Sequence, residues 1–86
     1  MNIRDVVVKH FAAIVAEHSP VPCPEHLTDD LLLEEFWLDS VALVTFIARL
    51  EQELGYVPPP IVEGAFYRET IGEFVTLYAD AAPERP

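Results

Sequence analysis

Apolar residues recur at three- and four-residue spacing from Asn2 to about Glu17, where Ile3, Val6, Val7, Phe11 and Ile14 fall on one broad face. That period predicts an amphipathic helix. His10 borders the apolar face, as expected of a partly buried, hydrogen-bonded histidine. The segment His18 to His26 carries three prolines within five residues, each lacking a backbone donor, and it ends the helix. Beyond it, Leu31, Leu32, Leu33, Phe36, Trp37 and Leu38 supply many apolar groups for a loop. A connection that dives back across the core, with room for one short helical turn, is the reading.

A second helix is predicted over Ser40–Leu54, stopped by Gly55, a residue suited to the left-handed position after a helix. At 100° per residue, Leu43, Phe46, Ile47, Leu50 and Leu54 form a core stripe within an arc of roughly 100°. Val41, Val44 and Ala48 form a second, displaced stripe. A monomer needs only one, so the second is either a contact surface or packs under the long loop. Pro58-Pro59-Pro60 favours extended chain, and Ile61 to Phe66 is read as a short helix or an irregular crossing. Thr70 and Glu73 have the spacing of a capping box. Behind them Ile71, Phe74, Val75, Tyr78 and Ala82 make the apolar face of a last helix ending near Ala81, before a frayed tail at 83–86. The expected architecture is a single all-α domain over residues 1–82. It has three main helices plus a short one, and a long loop between the first and second.

At 86 residues the chain holds one core and buries only about 60–65% of its unfolded surface. That is too little for an enclosed multi-residue catalytic pocket, so a protein that presents something is favoured over an enzyme. The net charge of −10 disfavours nucleic acid and anionic membranes as partners and suits docking onto basic patches of other proteins. One cysteine, Cys23, excludes an internal disulfide. Arg4, Asp5, Lys9 and His10 interrupt the N-terminal stretch, so no signal peptide is expected, and no apolar run approaches the roughly 20 residues that span a bilayer. A cytoplasmic monomer is the expectation. His18, Cys23 and His26 match no standard zinc spacing, and no metal site is expected.

The chemistry concentrates in Phe36-Trp37-Leu38-Asp39-Ser40-Val41, where the loop meets the second helix. A helix start offers unpaired N–H groups and partial positive charge, which favour an attached phosphate. Ser40 there would carry its hydroxyl at the surface, reachable by another enzyme. Asp39 is a good cap and could help hold a divalent cation brought by a modifying enzyme.

These residues resemble the acyl and peptidyl carrier protein superfamily over nearly the whole chain. The match reads Asp39-Ser40-Val41, then Leu50-Glu51-Gln52-Glu53-Leu54-Gly55, then Val57-Pro58, and finally Thr70-Ile71 opening the last helix. The resemblance implies a covalent 4′-phosphopantetheine on Ser40, placed by a phosphopantetheinyl transferase from coenzyme A. It implies partners that load the thiol, an acyl or aminoacyl ligase or an acyltransferase, and downstream biosynthetic enzymes. Val41, Val44 and Ala48 would be the apolar part of the docking face, with Trp37 beside it. Glu51, with Glu53, Asp29, Asp30, Glu34 and Glu35, supplies candidates for its acidic part. Two departures are plain: Phe36 and Trp37 stand where the family usually has a glycine, and Ala42 and Thr45 replace residues often acidic in fatty-acid carriers. The second departure speaks against a fatty-acid role, and the stretch Asp29 to Ser40 looks like standalone carriers of aminoacyl or aryl groups, which directs the expectation toward polyketide- or nonribosomal-type biosynthesis. The alternative is an unmodified, carrier-like adaptor that only binds proteins.

Overall fold

In a computed structural model, residues 2–64, 66 and 68–82 are described; the tail expected at 83–86 lies outside them. The order is α1 (Ile3–His18), a 3-10 turn (Leu33–Phe36), α2 (Ser40–Leu54), α3 (Pro59–Val62) and α4 (Ile71–Asp80). The domain is all-α, with three main helices, one short one and a long loop between α1 and α2.

Each main helix begins where a side chain satisfies its orphan amides. Asn2 accepts from the Asp5 N–H at 2.8 Å to open α1. The Thr70 hydroxyl accepts from the Glu73 N–H at 3.1 Å while the Glu73 carboxylate accepts from the Thr70 N–H at 3.0 Å, the full capping box of α4. Gly55 ends α2 at φ 87°, its N–H donating to the Glu51 carbonyl at 2.8 Å.

The core is strung on aromatic rings. Phe11 of α1 meets Phe36 edge-on at 5.2 Å and Phe46 of α2 at 5.4 Å. Phe46 stacks on Phe74 of α4, which touches Tyr78 and Phe66 in turn. Val6, Val7, Ile14, Val15, Leu33, Leu50 and Ile71 fill the spaces between them. Burial of this set is the main force that holds helices too short to stand alone.

The buried face of α2 departs from the predicted stripe. Ala42, Phe46 and Leu50 are fully buried, whereas Leu43, Ile47 and Leu54 are half-buried. The buried face is thus rotated by about 60° from expectation, because α1 and the loop cover one side closely while α3 leaves the other partly open. The proline triplet also behaves differently. Pro58 is buried and extended, but Pro59 and Pro60 open α3, where a missing N–H costs nothing. Ala82, expected on the apolar face of α4, is exposed.

The long loop is clasped by backbone. Leu32 pairs with Thr70 in an antiparallel bridge: the Leu33 N–H donates to the Glu69 carbonyl at 3.1 Å and the Ile71 N–H to that of Leu31 at 2.8 Å. The Gly72 N–H donates to the Asp29 carbonyl at 3.0 Å, and a Cβ on Gly72 would lie 2.9 Å from the Asp29 Cβ. Ser19 Oγ donates to the Phe36 carbonyl, tying the far end of the loop to the 3-10 turn. Among the described residues no helix is long and apolar enough to cross a membrane.

Candidate functional site

Phe36 and Leu38 are both drawn into the core, at 2% and 3% exposure, and the chain must turn sharply between them. Trp37 takes the left-handed conformation (φ 53°, ψ 39°), with its N–H on the Glu34 carbonyl at 3.3 Å. Its side chain stands 72% exposed. A positive φ suits glycine best, and here a tryptophan occupies the position.

After Leu38 the backbone extends through Asp39 (φ −81°, ψ 176°), whose Oδ1 accepts from the Ala42 N–H at 2.8 Å. The Leu43 N–H returns to the Asp39 carbonyl at 3.0 Å. Ser40 is the first residue of α2 and is exposed. The cap therefore consumes the third amide of the helix. Among the described residues the Ser40 and Val41 amides have no backbone partner, so they remain free to donate to an anion at this end. Inside α2 the first turn carries no acidic side chain; the Asp39 carboxylate, one residue before it, is the negative group already at this end.

The second stripe is exposed: Val41 at 67%, Val44 at 68%, and Ala48 likewise open. It does not pack under the loop. Glu51 continues it on the solvent side. Beside the stripe, Leu43, Ile47, Val57, Ile61 and Phe66 line an apolar groove of about 460 Å³ between α2 and the α3 region, with Val44, Ala48, Val62 and Glu51 at its edge. The sequence pattern missed this groove because it treated Leu43 and Ile47 as fully covered. Their half-burial depends on where α3 lies, which periodicity does not report.

Not every expected acidic candidate is free. Glu53 binds Lys9 at 2.9 Å and His10 Nε2 at 2.9 Å, and these partners hold its carboxyl below the ordinary glutamate range. His10 is therefore the hydrogen-bonded, partly buried residue expected of it. Asp29 pairs with Arg4 at 2.8 Å, anchoring the loop, and Asp30 accepts from the Thr28 hydroxyl. Arg49 grips Glu17 through two bonds of 2.9 and 3.0 Å, which lower the Glu17 carboxyl. Glu51 and Glu35 remain exposed and Glu34 half-buried. Among the described residues no group of three or more His, Cys, Asp or Glu side chains is arranged to hold a metal ion.

No protein-family model, curated protein or solved structure matches the chain.

Proposed function

We propose that the chain is an acyl carrier protein whose working group is a 4′-phosphopantetheine arm on Ser40. The observation that carries this reading is the exposed Ser40 at the first position of α2, capped by Asp39, within the Asp39-Ser40-Val41 and Leu50–Gly55 pattern. The acquisition of the arm is a simple displacement. The Ser40 oxygen bonds the pantetheine-side phosphorus of coenzyme A, the pyrophosphate bridge breaks, and the nucleotide half leaves. The hydroxyl proton passes to a base of the transferase. The free amides of Ser40 and Val41 then lie beside the new phosphodiester, where the helix tolerates negative charge best.

The arm supplies a thiol that carries cargo as a thioester, and one tether lets several enzymes work on it at high effective concentration. Val41, Val44, Ala48 and Glu51 form the docking face for those enzymes: the transferase, a loading ligase or acyltransferase, and downstream biosynthetic enzymes. Ala42, two residues after Ser40, is fully buried, and Thr45 donates to the Val41 carbonyl at 2.9 Å. The start of α2 thus turns no carboxylate outward, which favours a carrier of specialised, polyketide- or nonribosomal-type biosynthesis over a fatty-acid one.

The test is the intact mass after incubation with a broad-specificity phosphopantetheinyl transferase, magnesium and coenzyme A, beside Ser40→Ala. A gain of one phosphopantetheine on the parent and none on the variant is expected. No gain on either refutes the reading and leaves an unmodified adaptor.

A further inference from the structure

Trp37 is the one non-glycine residue at positive φ among the described residues. Such a backbone is strained for an L-residue because Cβ crowds the carbonyl oxygen. The strain is imposed by the burial of Phe36 and Leu38 on either side, and not repaid by the indole, which is 72% exposed. Glycine would meet the same turn at lower cost. An exposed aromatic held at a strained position, next to the serine that does the chemistry, is placed for something outside the fold.

Its surroundings say what. The large hydrophobic side chains exposed among the described residues are Trp37, Val41, Val44 and Val62. Three of them fall within four residues of Ser40, and Val62 borders the same groove as Val44. The Cα atoms of Trp37 and Ser40 are no more than about 11 Å apart along the chain, so a protein that reaches Ser40 comes within range of the indole. The border of this patch is acidic: Glu35, Asp39 and Glu51 are exposed around it. Arg49, the one cation of α2, is already bound to Glu17. An apolar centre with an acidic rim is complementary to a protein slot with a basic rim, and it repels an anionic membrane.

We propose that Trp37 is the anchor by which partner enzymes recognise this carrier, its indole seated in an apolar slot edged by basic side chains. Tryptophan at the centre of a small interface is the residue type that most often dominates binding. The proposal rests on Ser40 as the arm site, and it assigns Trp37 a docking role that glycine at this position cannot perform.

The probe is the broad-specificity transferase itself, acting on the full chain with coenzyme A and magnesium. Trp37→Gly is expected to raise KM for the carrier tenfold or more with kcat within twofold, and Trp37→Phe to recover most of the loss. The same Trp37→Gly variant is expected to melt at a higher temperature, because the strain is gone. A structural role would move both in the harmful direction. Trp37 is the sole tryptophan of the chain, so beside a transferase whose own tryptophans are replaced by phenylalanine its emission reports the contact: a blue shift and protection from acrylamide on saturation, both weakened by salt. An unchanged KM for Trp37→Gly, or an indole that stays quenchable in the saturated complex, overturns the proposal while the mass gain upholds the carrier reading. No mass gain on the parent overturns both.

Discussion

Replacing Asp39 separates its two roles, because alanine and asparagine remove different things. Alanine deletes the acceptor that holds the Ala42 N–H at 2.8 Å, and loss of such a cap costs about 1 kcal/mol, within a range of roughly 0.5–2. For a domain of this size that is a fall of about 4–8 °C in Tm. Asparagine keeps an oxygen at the same reach and is an equally good cap, so Asp39→Asn is expected to melt within about 2 °C of the parent. What asparagine loses is charge. If the Asp39 carboxylate helps hold the cation brought by the transferase, Asp39→Asn should be modified at least tenfold more slowly while remaining as well folded. Circular dichroism melts and initial rates of mass gain, taken on the same preparations, give both numbers. Equal destabilisation by the two substitutions would refute the capping argument. Parental modification rates for Asp39→Asn would refute the role of the charge.

Tyr78 offers a test of the core. Its ring packs on Phe74 and Tyr56, yet its hydroxyl is buried with no hydrogen-bond partner among the described residues. Tyr78→Phe is therefore expected to stabilise the fold by about 1 kcal/mol, the desolvation cost of an unsatisfied polar group; destabilisation would mean that a buried water satisfies it. Burial also pushes the Tyr78 phenol well above its ordinary value. Its neutral form is then favoured in the fold, so the associated stability is intact below about pH 10 and is lost as pH rises beyond it. Urea melts at pH 7 and pH 11 should show that loss in the parent and a smaller one in Tyr78→Phe, where Tyr56, shifted the same way by burial, still contributes. Gly72→Ala is expected to destabilise by about 1–3 kcal/mol despite alanine's better helix propensity, because its Cβ would press on Asp29 at 2.9 Å. A raised melting temperature would show that the loop yields instead.

The start and end of α2, the capping box of α4 and the exposure of Ser40 were all legible in the chain, because each rests on residues within a few positions of one another. Asp39 needs only the Ala42 amide, and Gly55 only the last turn before it. What escaped depends on contacts between distant segments. The rotation of the buried face toward Ala42 follows from where α1 and α3 lie. The pairing of Glu53 with Lys9 and His10, and of Asp29 with Arg4, joins segments far apart in the chain and gives two exposed acidic candidates cationic partners that local reading did not provide. Pro59 and Pro60 start a helix because Pro58 is anchored in the core, a fact of packing. The left-handed backbone of Trp37 escaped as well, because it depends on Phe36 and Leu38 being buried on either side.

The clasp between Leu32 and Thr70 joins the first half of the chain to its last helix. As a polypeptide leaves the ribosome, α1, the loop and Ser40 emerge well before the segment around residues 69–72 that grips the loop. Closing so long a segment is entropically costly until its partner exists. The loop that leads toward Trp37 and Ser40 is thus held in place only once the segment that opens α4 is available to grip it.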